Sequence, residues 1–259
     1  MTVQHLDELK KSDIANIKIV CFDVDGVTIQ RGTKIIDTGD IQTMKTIPLE
    51  SKILKKLLRL KQYFHVTINS GRSSFYLTKV FSELLWDNAS LISENGIFVL
   101  YDGQLIQNFK FSSYELEVLK RVTRRLKEIA KNDQRAAGFE YKMFLLVLHC
   151  HQSIPEVLKV VEEEDSNGEF YCWWNGEAYD ICPKRFNKGV GLKKLAELLG
   201  YGPENAIAIG NGVNDKDMTD IAAIGVTTDK EHLKADYYCE GEHLGGEYLM
   251  DKLIELKES

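Results

Sequence analysis

The run IKIVCFDVDGVT, residues 17–28, constrains the fold more than any other stretch of the chain. An apolar segment of strand length, rich in β-branched and aromatic side chains, reads as a strand buried on both faces. It ends at two aspartates, Asp23 and Asp25, and Gly26 breaks it at once. In an open parallel α/β sheet the ligand crevice lies beyond the C-terminal ends of the strands, so this is where such a fold places its chemistry. A single Asp before a glycine is commonly an Asx turn and nothing more. Two acids at one strand tip, followed by three more polar clusters downstream, point instead to a site.

The pattern then alternates. Residues 30–46 are polar and irregular, and apolar residues at helical spacing predict a helix over 48–63 with Pro48 in its first turn. A strand over 64–68 ends at Asn69-Ser70-Gly71-Arg72, ahead of a helix over 73–85. A small hydroxyl residue and a glycine between strand and helix make an anion site from backbone amides. A short strand over 89–92 leads into Ser93-Glu94-Asn95-Gly96.

From residue 97 the alternation stops. Residues 97–109 read as a hairpin turning at Asp102-Gly103. An amphipathic helix over 113–131, a strand or hairpin arm over 139–149, a helix over 155–164 and a hairpin over 169–181 follow. That order predicts a small α+β module with an open-faced antiparallel sheet, inserted into the parallel domain. The expected organisation is a core over 1–109, an insert over 110–182 and the rest of the core over 183–259. The core resumes with Asn187-Lys188-Gly189 opening a helix to 199, then a strand over 206–209 that ends at Gly210-Asn211-Gly212-Val213-Asn214-Asp215. A helix over 216–223, a strand over 224–227 and a helix over 247–258 complete it.

Four polar clusters thus fall where one parallel sheet gathers them: Asp23 with Asp25, Ser70, Lys188, and residues 211–215. A phosphoryl group needs its charge neutralised, which a hydroxyl, backbone amides and a lysine do from one side. A hard cation such as Mg²⁺ prefers oxygen ligands and few protein carboxylates. One aspartate can attack phosphorus, and a second two residues along can move the proton of the leaving alcohol and of water. Composition narrows the partners. A net charge of −6 over 259 residues argues against nucleic acid and anionic membrane surfaces. No apolar run approaches the length of a membrane span, and the acidic residues near the N-terminus do not suit a signal peptide. Five scattered cysteines without a CxxC pair suit reduced thiols in the cytoplasm.

The sequence DVDGV after an apolar strand, Ser-Gly-Arg after the second, Lys-Gly far downstream and GNGVND near the end resemble the four signature motifs of haloacid dehalogenase-like phosphatases. An insert placed between the second and third motifs resembles the C2-capped subclass, which includes Cof-type, sucrose-phosphate and phosphoglycolate phosphatases. The resemblance implies a doubly wound Rossmannoid α/β core with an inserted α+β C2-type cap. It implies Asp23 as nucleophile and metal ligand, and Asp25 as acid/base with its backbone carbonyl on the metal. Ser70, the Gly71 amide, Lys188 and Asn214 would hold phosphate, and Asn211 and Asp215 would complete a Mg²⁺ site. Asn211 stands where the family usually has an acid, which implies weaker metal affinity.

The expected function is Mg²⁺-dependent hydrolysis of a small phosphorylated metabolite, a sugar phosphate, through an aspartyl-phosphate. A sugar phosphomutase of the same superfamily and a noncatalytic phosphometabolite-binding protein are the alternatives. The expected chain acts as a monomer or weak homodimer, with no nucleic-acid or membrane partner. Specificity is expected in the cap, whose Tyr171, Trp173 and Asn175 share one strand face with Trp174 on the other. The cap's own core is the favoured place for either Trp. His149 and His151 lack a third ligand at obvious spacing, and the basic run 120–127 reads as a solvated helix face. Lys184 and Arg185 either border the phosphate pocket or are surface charge.

Overall fold

The computed structural model describes residues 3–37, 41–240 and 244–259. The chain divides into two units: Met1–Arg31, Ile47–Asn108 and Asn187–Ser259 form the first, Gly32–Thr46 and Phe109–Phe186 the second.

In the first unit the apolar runs become strands whose side chains are covered on both faces. Every residue of Ile19–Phe22, His65–Asn69, Ala89–Ser93 and Ala206–Gly210 is buried. Among the described residues the sheet has nine strands, in the order Gln4–His5, Tyr237–Tyr238, Ile224–Thr227, Ala206–Gly210, Ile19–Phe22, His65–Asn69, Ala89–Ser93, Phe98–Tyr101 and Gln104–Gln107. Pairing is parallel as far as Ala89–Ser93 and antiparallel beyond it. Ile19–Phe22 is flanked by Ala206–Gly210 on one side and His65–Asn69 on the other, with Phe22 opposite Ile209 and Ile68. That register brings the C-terminal ends of three motif-bearing strands side by side. The hairpin turn falls at Asp102-Gly103, both at positive φ (49° and 71°), the geometry that a two-residue turn between twisted strands requires.

Several elements differ from expectation. The helix expected from residue 48 is Ser51–Leu60, so Pro48 lies before it. The helix expected over 73–85 is only Ser74–Val80, capped by Ser73, whose hydroxyl accepts from the Tyr76 amide at 3.2 Å. Residues 30–46 are not merely irregular. Lys34–Asp37 and Gln42–Lys45 pair as an antiparallel hairpin, with Ile35 opposite Met44, and this segment belongs to the second unit.

The second unit is an α+β module of the expected kind. Phe170–Trp174, Ala178–Pro183, Leu146–Cys150 and Ala136–Glu140 make a four-stranded antiparallel sheet in that order. The helices Ser113–Asn132 and Pro155–Glu164 cover one face, where Val118, Val122, Leu126, Val157 and Val161 meet Leu148, Tyr179 and Ile181. The first helix starts with a capping box, Ser112 and Glu115 exchanging hydrogen bonds between side chain and backbone. Trp174 packs against this core, and its ring centroid lies 4.9 Å from that of Tyr179. Trp173 stands opposite Asp180 on the other face of the sheet. Within the basic helix run, Arg121 and Arg125 both pair with Glu164. Arg185 pairs with Glu115 at 2.6 Å and Lys184 donates to the Gly168 carbonyl, which accounts for both charges inside this unit. His149 contacts Glu140 at 3.0 Å, whereas His151 is exposed and does not share the contact.

Candidate active site

Asp23 follows the last residue of its strand, and its amide still donates to the Ile209 carbonyl at 3.0 Å, so it is held in line with the sheet. The chain then turns at Gly26, whose φ is +82°. A Cβ at Gly26 would come within 2.5 Å of Asn211 Nδ2, so the turn needs glycine for space as well as for conformation. Lys188 enters as the first residue of the helix Lys188–Leu198, which Asn187 caps by accepting from the Val190 amide. Asn69, at the end of the neighbouring strand, donates to the Lys188 carbonyl at 2.9 Å and fixes that helix start.

The centre is a buried triad of charges. Lys188, 1% exposed, places its ammonium 2.5 Å from Asp23 Oδ1 and also donates to Asp215 Oδ1. Asp215, fully buried, uses its other oxygen to accept from the Asn211 and Gly212 amides, each at 2.9 Å. A Cβ at Gly210 would lie 2.3 Å from that of Asp215, so only glycine lets this acid fold back under its own loop. Burial and the Asp215 charge push the Asp23 carboxyl up, against the opposing pull of Lys188. The two carboxylates in turn raise the Lys188 ammonium despite its burial, so it stays charged. Cys21, on the same strand, is a fully buried thiol pushed up to about 12 by desolvation, and it is no rival nucleophile.

Asp25 lies apart from the triad. Its two carboxylate oxygens accept from Arg72, Nη2 at 2.8 Å and Nε at 3.0 Å. Its backbone carbonyl accepts from Asn211 Nδ2 at 2.9 Å. Ser70 is buried, with its hydroxyl accepting from the Arg72 amide at 3.2 Å, and Gly71 follows it at the start of the loop. Asn214 lies in the turn with Gly212, whose added Cβ would meet its Oδ1 at 2.8 Å. The sheet register therefore gathers Asp23, Lys188, Asn211 and Asp215 by direct contact, links Asp25 to them through Asn211, and places Ser70 and Gly71 at the end of the adjacent strand. Arg72 and Asn69 have roles that the sequence reading did not assign. Arg72 ends the Ser-Gly-Arg motif, but nothing in its spacing indicates that its side chain reaches Asp25.

The oxygen donors suit a hard cation. Asp23 supplies one carboxylate, the Asp25 carbonyl and the Asn211 carboxamide lie in contact, and turning that amide over presents two oxygens side by side. Among the described residues no three His, Cys, Asp or Glu side chains gather as a metal-holding group. Asp215 has both oxygens engaged, one by Lys188 and the other by the Asn211 and Gly212 amides. Asn211 precedes Gly212, a pairing prone to deamidation when the glycine nitrogen is free to attack. Here that nitrogen donates to Asp215, which opposes the reaction.

Comparisons with known proteins point to one enzyme family. A profile of the haloacid dehalogenase-like hydrolases matches residues 120–235, a span that includes Lys188 and the loop 210–215. A phosphoglycolate phosphatase of Methanopyrus kandleri is 28% identical over 211 residues, covering 80% of this chain and 82% of its own. One of Methanosarcina acetivorans is 27% identical over 216 residues, covering 82% and 91%. The C-terminal domain of trehalose-6-phosphate phosphatase from C. albicans shares the fold with a TM-score of 0.72 at 16% identity, over 100% of this chain and 98% of that one. With the motifs in order at the strand ends, these comparisons support a phosphatase of the haloacid dehalogenase-like superfamily.

Proposed function

We propose that the chain hydrolyses a small phosphorylated metabolite, a sugar phosphate among the first to test, with Mg²⁺ and an aspartyl-phosphate on Asp23. The observation that carries this reading is the buried Asp23–Lys188–Asp215 triad at the C-terminal strand ends. Asp23 Oδ attacks phosphorus, the P–O bond to the alcohol breaks, and the alcohol oxygen takes a proton from Asp25. Water then attacks the same phosphorus while Asp25 takes its proton, and Asp23 is regenerated. Lys188, Ser70 and the Gly71 amide neutralise the phosphoryl oxygens, and Asn214 borders them. Asp23, the Asp25 carbonyl and Asn211 would hold the Mg²⁺, with Asp215 acting through Lys188 and the loop amides. When bound, the cation supplies positive charge that lets an anionic nucleophile approach an anionic ester.

No helix among the described residues is long and apolar enough to cross a membrane. The five cysteines are free, which supports a reducing cytoplasmic setting, with the chain acting alone or as a weak homodimer on small molecules. The test is phosphate release from a panel of phosphosugars and phosphorylated hydroxy acids, with and without Mg²⁺. Release that depends on Mg²⁺ is expected. Isomerised hexose phosphate without release, or inertness toward the whole panel and p-nitrophenyl phosphate, would overturn the reading.

Asn211 gives a sharper test of the metal. Asn211→Asp restores a negative charge to the donor set, and Mg²⁺ affinity is expected to rise about tenfold or more, since carboxylate count tunes such sites. Calorimetric titration reads this independently of turnover. Equal affinity in the two proteins would remove Asn211 from the metal site.

A further inference from the structure

The segment Ser93-Glu94-Asn95-Gly96 supplies no group to the chemistry above, but it is packed against both elements assigned to the phosphate. On one side it braces the Ser70 loop. The Asn95 amide donates to the Ser70 carbonyl at 3.1 Å, and the Glu94 amide donates to the Arg72 carbonyl at 3.0 Å. On the other side it meets the first turn of the helix that begins at Lys188. A Cβ at Gly96, where φ is +87°, would clash with the Asn187 carbonyl oxygen, and one at Gly191 would lie 2.8 Å from the Gly96 Cα. Two glycines therefore let loop and helix meet backbone to backbone. One side chain then ties them together. Asn108 Nδ2 donates to the Gly96 carbonyl at 3.3 Å and to the Val190 carbonyl at 3.2 Å, and the Asn108 amide donates to the Ile97 carbonyl at 2.8 Å. A carboxamide nitrogen carries two donors, so one group can serve both carbonyls. Val190 is thereby held at its carbonyl by Asn108 and at its amide by Asn187 Oδ1.

The geometry points to Asn108 as a positioning residue: by clasping the 93–96 loop to the Lys188 helix, it sets the separation between Ser70 and Lys188 that a phosphoryl group must bridge. This deepens the phosphatase reading and rests on it. A lysine side chain is a flexible four-carbon stem, so a fixed backbone root decides where its ammonium can stand. Donors preorganised around one phosphoryl position lose their grip when their separation drifts. Asn108 acts through the backbone of the loop and the helix and does not itself touch the substrate. It is also the last residue of the first unit before the chain leaves for the second, and Asn187 is the first on its return, so the clasp stands where the chain crosses.

The test uses Asn108→Leu, which keeps a similar volume and removes the donor without adding charge. Steady-state kinetics on p-nitrophenyl phosphate with Mg²⁺, and calorimetric titration of inorganic phosphate into the Mg²⁺-loaded protein, are compared with wild type. The KM and the Kd for phosphate are each expected to rise roughly fivefold, the size of one neutral hydrogen bond. A role in folding alone would lower the active fraction, and with it kcat, while leaving KM and Kd unchanged, and that result would overturn the proposal. A second arm needs no turnover. Hydrogen exchange should quicken at the Asn95 and Gly191 amides, one on each side of the clasp, while Ile207 in the central strand keeps its protection. Unchanged exchange at either amide would also overturn it. Should Asn108→Leu fail to fold, Asn108→Ser takes its place, with a hydroxyl too short to span both carbonyls. Failure of the phosphatase reading is separable, because it shows as no release from p-nitrophenyl phosphate by the wild type while the exchange arm still decides on the clasp.

Discussion

Asp23→Asn is expected to abolish turnover and, in the metal-free chain, to raise the thermal midpoint. The first effect follows from chemistry, since an amide cannot form the aspartyl-phosphate. Loss of a covalent nucleophile lowers kcat by factors on the order of 10⁴ to 10⁶. The second follows from electrostatics. Burial and the neighbouring Asp215 raise the Asp23 carboxyl above its ordinary range, with Lys188 opposing. An acid raised in the folded state adds stability below its unfolded pKa and loses it as pH climbs through the folded value. At neutral pH the ionised Asp23 therefore weakens the fold, while Asn keeps the shape and leaves Lys188 paired with Asp215. Each kcal/mol recovered lifts Tm by roughly 2–4 °C in a chain of this size. The advantage should narrow on acidification, as wild-type Asp23 takes up its proton. Scanning calorimetry in EDTA between pH 5 and 8, beside a phosphate-release assay, checks both halves. Retained turnover would remove the nucleophile assignment, and a lowered Tm would remove the electrostatic account.

The same triad shows how far the sequence could be read. Ile19–Phe22 and Ala206–Gly210 were legible as strands because a parallel sheet covered on both faces demands unbroken apolar runs. Polar residues ending such runs were legible as a site for the same topological reason. Contacts made by long side chains across the sheet were not. Arg72 and Asp25 are 47 residues apart, and nothing in the spacing of the sequence indicates that a guanidinium reaches a particular carboxylate. Nor did the residue type of Asn211 show that its amide would sit on the Asp25 carbonyl. The hairpin Lys34–Asp37 and Gln42–Lys45 was missed because Ile35, Ile36 and Met44 are too few among charged neighbours to set a strand period. In the second unit the alternation of Trp173 and Trp174 was readable. Which face the helices cover followed only from where Leu148, Tyr179 and Ile181 point.

Lys188→Met should be the most destabilising single change at this site, and it tests the triad from the opposite side to Asp23→Asn. Lys188 is the buried cation that both Asp23 and Asp215 contact, and its side chain is 1% exposed. Its pKa is raised on folding by those two acids. A base raised in this way contributes stability that is fully present below its unfolded pKa and is lost only as pH rises through the folded value, so the contribution is intact throughout the neutral range. Methionine fills similar volume without charge and leaves two buried carboxylates facing each other. Removing one partner from a buried ion pair costs roughly 3–5 kcal/mol, which corresponds to a Tm lower by roughly 6–20 °C. The residual repulsion is relieved when one acid takes a proton, so the variant should gain stability on acidification where the wild type gains less. Adding Asp23→Asn to Lys188→Met should recover part of the loss, and the double-mutant cycle reads the Asp23–Lys188 coupling directly. Denaturant titrations of the four proteins at pH 5 and pH 8 measure all of this. A Lys188→Met chain as stable as wild type at pH 8, or additive effects in the cycle, would show that the ammonium does not hold the two acids together.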